Sequence, residues 1–121
     1  MLEVEKLDAA MADVLSLNGS IAASVVDWKT GMVLCSDTKQ KFDIELASAG
    51  NAEVVKAKMA TMKSLGLDGA IEDILITLSD QVHIIRTIAS NPNLFLYLAI
   101  SEGGASLAMA KMKMQSVEQG L

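Results

Sequence analysis

The order in which hydrophobic periodicity changes along the chain leaves few folds open. A helical stripe comes first, then two strand-like runs, a long helical stretch, three further strand-like runs and a closing helical stripe. These segments take up nearly all of the 121 residues, so one compact domain spanning 1–121 is expected. Little chain is left over for catalytic loops.

The first helix is expected over Leu2–Leu17. Val4, Leu7, Met11 and Val14 recur at helical steps, Ala10 and Leu15 widen the stripe, and Asn18-Gly19 ends it. Strand one, Ser20–Trp28, and strand two, Met32–Ser36, are joined by the short loop Lys29-Thr30-Gly31. Ile21-Ala22-Ala23-Ser24-Val25-Val26 is apolar on both faces, which predicts an interior strand. Helix two, Asp43–Leu65, turns Ile44, Ala47, Val55, Met59, Met62 and Leu65 toward a sheet. Strands three (Ala70–Leu78), four (Gln81–Ala89) and five (Leu94–Ile100) form a meander, with turns at Asp80 and at Asn91-Pro92-Asn93. The unbroken apolar run of strand five makes it central as well. Helix three follows Ser101-Glu102-Gly103-Gly104 and runs to about Gln119, burying Leu107, Ala110, Met114 and Val117. The expected class is α+β, ordered α-β-β-α-β-β-β-α, with a five-stranded antiparallel sheet between two helical layers.

Two features point outward. On the side of helix two away from its apolar face, Leu46, Gly50, Glu53, Ala57, Ala60 and Ser64 step four-three-four-three-four. That spacing, filled with small residues, admits a second helix at close range. Strand three, with Glu72, Ile74, Leu75 and Ile76, is β-branched and free of Lys and Pro, so an unpaired outer edge there would be an aggregation hazard. Pairing with its symmetry mate would cover the edge and join two sheets into one. A homodimer, or a heterodimer with a paralogue, is expected. Lys39, Lys41, Lys56 and Lys63 lie before or along helix two, as a solvated flank or as a rim that steers an acidic partner. Glu53 and Lys56 are spaced to pair.

Composition narrows the function. Ten basic residues stand against fifteen acidic, for a net charge of −5 with a single Arg, which disfavours nucleic acid. Met1-Leu2-Glu3-Val4-Glu5 reads as neither a signal peptide nor a membrane span, and the lone Cys35 has no disulfide partner, so a reducing cytoplasm and no membrane insertion are expected. Asn18-Gly19-Ser20 reads as a turn. No catalytic residue, metal ligand set or cofactor site is expected. His83 has no second His or Cys to share a metal, Cys35 lacks a base, and the adjacent Glu72 and Asp73 face opposite sides of a strand. Gly103-Gly104 reads as a helix-start turn rather than an anion site. The eight methionines fill a core poor in aromatics, or give helix three an adaptable contact surface.

Ala23-Ser24-Val25-Val26-Asp27 with Thr30-Gly31-Met32-Val33-Leu34, the helix Glu45-Leu46-Ala47-Ser48-Ala49-Gly50, the strands Ile74–Leu78 and Leu94–Ala99, and Gly104-Ala105-Ser106-Leu107-Ala108-Met109 together carry a resemblance. The chain resembles the roadblock family, which includes roadblock-type dynein light chains and bacterial MglB-like regulators, over about residues 2–119. The retained last helix makes it more similar to the prokaryotic regulators. The resemblance implies a three-layer domain related in shape to profilin and longin domains, and a dimer with a ten-stranded sheet joined through strand three. It also implies binding of a small Ras-like GTPase by a non-catalytic adaptor, altering the GTPase's nucleotide state or location. Arg86, in strand four, is poorly placed for an arginine finger, so any effect on hydrolysis would come from positioning the GTPase's own groups. The alternatives are a light-chain-like scaffold subunit and a sensory domain holding a small ligand between sheet and helix.

Overall fold

A computed structural model describes residues 3–121. The elements follow the expected order: α1 (Val4–Val14), β1 (Ser20–Asp27), β2 (Val33–Thr38), α2 (Ile44–Ser64), β3 (Asp73–Thr77), β4 (Gln81–Thr87), β5 (Leu94–Ser101) and α3 (Leu107–Gln119). The strands form one antiparallel sheet in the order β2-β1-β5-β4-β3. The two runs that are apolar on both faces, β1 and β5, lie side by side in its interior, and each is buried along its length. An apolar run needs cover above and below, and only interior strands receive it.

Two cores sit on opposite faces. One packs α1 and α3 (Leu7, Met11, Val14, Ala110, Met114) on Ala23, Val25, Ile84, Leu96 and Leu98. The other packs α2 (Ala52, Val55) on Ile21, Val26, Ile85, Phe95, Tyr97 and Ala99. The three layers of the expected α+β class are therefore present.

Several boundaries differ from the sequence expectations. α1 closes at Val14 with Leu15 as its cap, rather than at Asn18-Gly19. The turns that follow still bury Leu15 and Leu17, so the apolar pattern outlasts the helix. Leu2 lies outside the described residues, and Val4 is exposed rather than part of the stripe. β2 begins one residue later and runs two residues further than expected. β3 is shorter at its start: Ala70, Ile71 and Glu72 precede it, so Glu72 is not a strand residue. β4 ends at Thr87 instead of Ala89. α3 begins at Leu107, capped by the Ser106 hydroxyl accepting from Met109 N (3.2 Å), and Leu107 is exposed. Its inward positions are Ala110, Met114, Val117 and Glu118. On α2 the polar Ser48 and Asn51 join Ala52 and Val55 at the sheet, while Leu65 is left exposed. Ser48 is tolerated there because its hydroxyl pairs with that of Ser24 on β1 at 2.9 Å.

Candidate interaction surface

β2 and β3 are the two edges of the sheet, and they differ in kind. β2 carries a bulge against β1 at Val25/Val26, an exposed Asp37 in the strand and Lys39 just beyond it, all features that discourage a further strand. β3 has no bulge, and the one charge within it, Asp73, is turned in to Arg86, although an exposed Glu72 precedes the strand. Its register with β4 runs unshifted from Asp73↔Arg86 to Thr77↔Val82. Backbone bonds Thr87 N→Glu72 O (3.3 Å) and Leu78 N→Gln81 O (2.8 Å) close the two ends of this ladder. Antiparallel rungs alternate, so Ile74 and Ile76 also bond to β4, and the backbone groups of Asp73, Leu75 and Thr77 face outward. Among the described residues no strand meets them.

The side chains of β3 divide by face. Ile74 belongs with the core under α2, and by alternation Ile76 points the same way, opposite His83. Leu75 pairs with Ile84 and so lies on the α1/α3 face, where it is exposed. α2 itself lies chiefly over β1 and β2. The β3 end of that face is consequently an open shelf on which Ile74, Ile76 and His83 are only half-buried.

Leu46, Gly50, Glu53, Ala57, Ala60 and Ser64 are all exposed, and Leu46 is 70% exposed. They occupy the side of α2 opposite Ser48, Asn51, Ala52 and Val55, so the stripe faces away from the sheet. Nothing lies within 4 Å of where a Cβ on Gly50 would stand. The fold therefore does not require a glycine there. Asp43 caps the helix, its carboxylate accepting from Leu46 N at 3.1 Å. Lys56 Nζ stands 3.5 Å from Glu53 Oε1, an exposed pair of small energetic weight. Lys41 and Lys63 are exposed. Lys39 goes elsewhere: its Nζ donates to Leu15 O (3.0 Å) at the end of α1, across the sheet from α2, so it does not rim the helix-two surface.

The remaining reactive side chains are tied into the fold. His83 Nε2 lies 2.8 Å from Gln81 Oε1 and Nδ1 lies 3.2 Å from Tyr97 Oη. Burial lowers its pKa against the opposing pull of Asp80. Burial also pushes the Cys35 thiol up to about 11, where a thiolate nucleophile is not available at neutral pH. No group of three or more His, Cys, Asp or Glu residues is arranged to hold a metal among the described residues. Arg86 is held on two sides, by Asp73 Oδ1 at 3.0 Å and Glu118 Oε1 at 3.1 Å. Burial would lower its pKa, but the hydrogen bonds and charges of Glu118 and Asp73 outweigh that and raise it. Beside it, a half-open cavity of about 330 Å³ lies at the end of the sheet, lined by Met59, Ile71, Ile88 and Pro92 as well as by Arg86 and Glu118. No helix among the described residues is long and apolar enough to cross a membrane.

No protein-family model and no curated protein matches the sequence. Solved structures do match its shape. Gliding protein MglB from Thermus thermophilus superposes with a TM-score of 0.82 at 17% identity, over 100% of this chain and 90% of that one. Myxococcus xanthus MglB gives 0.83 at 15% identity, over 98% and 94%. The Roadblock/LC7 domain from Streptomyces avermitilis gives 0.79 at 14% identity, over 93% and 92%. The chain has the roadblock fold. At these identities the likeness is one of architecture, and in the Thermus comparison it takes in the whole of this chain, last helix included. The surfaces described above are features of this chain's own residues on that roadblock scaffold.

Proposed function

We propose that this chain is a non-catalytic dimeric adaptor that binds a small Ras-like GTPase and modulates its nucleotide state or location. The observation that carries the reading is the open β3 edge beside the uncovered shelf of Ile74, Ile76 and His83. A second copy, or a paralogue, pairing along Asp73, Leu75 and Thr77 would extend the sheet and bring its own α2 over the shelf. Because the stripe from Leu46 to Ser64 faces away from the sheet, it would then form the outer surface of a two-helix platform rather than the helix–helix contact that its spacing predicts, with Lys41, Lys56 and Lys63 at its margins. The GTPase half of the reading rests on the roadblock resemblance. Any effect on hydrolysis would come from positioning the GTPase's own groups, because the Arg86 guanidinium, held by two carboxylates, is not free to reach a phosphate.

The test is sedimentation of the purified chain, followed by capture from the native host lysate with GDP or a nonhydrolysable GTP analogue. A dimer that retains a Ras-like GTPase under one nucleotide supports the reading. A nucleotide-insensitive large subunit would favour a light-chain-like scaffold. The cavity beside Arg86 favours a second reading, a small-ligand sensor. A saturable rise in melting temperature with one member of a metabolite panel, lost when Met59→Trp fills that cavity, would support it.

A further inference from the structure

β3 is an edge strand of the sheet. It has five residues and one neighbour, and the chain reaches it through the irregular segment 65–72, which includes Gly66 at φ +71° and Gly69. Its first residue, Asp73, gives its carboxylate to Arg86 Nη1 at 3.0 Å. The same guanidinium donates from Nε to Glu118 Oε1 at 3.1 Å. Glu118 sits near the end of α3, and its second oxygen accepts from Ala89 N at 3.3 Å, just beyond β4. All three side chains are largely withdrawn from water, with exposures of 15% for Arg86, 17% for Asp73 and 7% for Glu118. One arginine, the only one in the chain, thus joins the last helix to the first residue of the open edge.

We propose that Glu118 positions the β3 edge through Arg86, which makes α3 a positioning element for whatever pairs with that edge. A planar guanidinium offers donors in fixed directions, so fixing Nε on Glu118 fixes where Nη1 can meet Asp73. Thr87 supports the same junction, its hydroxyl donating to Ile71 O and its amide to Glu72 O. If Glu118 loses its charge, Arg86 keeps only Asp73 as a charged partner and the orientation of the fork is no longer dictated by α3. Lys at position 86 cannot replace it, because an ammonium has no fork.

The decisive measurement is residue-resolved amide hydrogen exchange of the full chain, with self-association followed separately by sedimentation. Glu118→Gln and Asp73→Asn should each speed exchange at Ile74 and Ile76 about tenfold, the consequence of losing one charge-assisted hydrogen bond, while β1 and β5 amides stay unchanged. The double variant should do no more than the stronger single one, since both act through one guanidinium. Arg86→Lys should behave like the carboxylate variants. Unchanged exchange at Ile74 and Ile76 in Glu118→Gln, or equal acceleration across the whole sheet, would overturn the proposal. Its consequence for dimerisation, a self-association weakened in Glu118→Gln, rests on the dimer reading above. A wild-type chain that does not self-associate would end that reading while leaving the exchange result to decide this one.

Discussion

Gly104 and Gly19 let two loop backbones pass close to each other. A Cβ on Gly104 would lie 2.6 Å from Asn18 O and 2.9 Å from Gly19 Cα, and one on Gly19 would lie 2.6 Å from Gly104 Cα. Backbone stands on both sides, so neither can yield by rotating a side chain. Gly104→Ala should therefore destabilise the fold by about 2 kcal/mol or more, read as a lower midpoint in urea denaturation. Two acids with raised pKa values draw stability down in alkali. Burial pushes Tyr97 up to about 12 from 10.0 and Cys35 up to about 11 from 9.0. Above pH 9 the unfolded chain loses protons that the folded chain keeps, so stability falls as pH rises from about 9 toward 12. Tyr97 contributes up to about 3 kcal/mol of that fall. Tyr97→Phe should flatten the slope of unfolding free energy between pH 10 and 12.

At the scale of elements, α2 and β3 carry the surfaces that the fold itself does not use. Glycine inside a helix costs about 0.5–1 kcal/mol relative to alanine, and nothing in this chain occupies the space beside Gly50. Gly50→Ala should raise the stability of the chain by that amount in urea titration. If the residue is kept for close contact across the α2 surface, the same change will weaken partner capture. On β3, Ile76→Lys puts a charge on the half-buried shelf where a second copy would sit. Self-association should weaken at least tenfold, since a buried unpaired charge costs more than about 1.4 kcal/mol. Sedimentation across a dilution series checks this, and undiminished association would place the contact elsewhere.

For the whole molecule, the prediction concerns mass action. A chain that pairs through β3 is stabilised by its own concentration, so its melting temperature should climb over a hundredfold range of protein concentration. A flat response would describe a monomer whose β3 edge is left to another partner. The helical layers stop short of β3 on both faces: Leu75 is exposed on the α1/α3 side, and Ile74 and Ile76 are half-buried on the α2 side. Residues exposed on α3, including Met109 and Met112, lie on the layer opposite α2 and stay clear of a β3 junction on the α2 side.

Periodicity and residue type were enough to order the eight elements, to put β1 and β5 inside the sheet and to mark the outer side of α2. These are local properties, because the alternation of a strand and the turn of a helix repeat within a few residues. Other features needed the folded chain. Arg86 meets residues 13 and 32 positions away. Ser48 is tolerated against the sheet because Ser24, 24 residues earlier, lies across from it. Lys39 leaves the helix-two side because the end of α1 offers it a carbonyl, and Gly104 matters because the α1–β1 turn passes beside it. The apolar tail Leu15–Leu17 reads as helix, yet it is buried as turns. Each of these depends on which distant segments the sheet order and the two helical layers bring together, and no spacing within one segment encodes that.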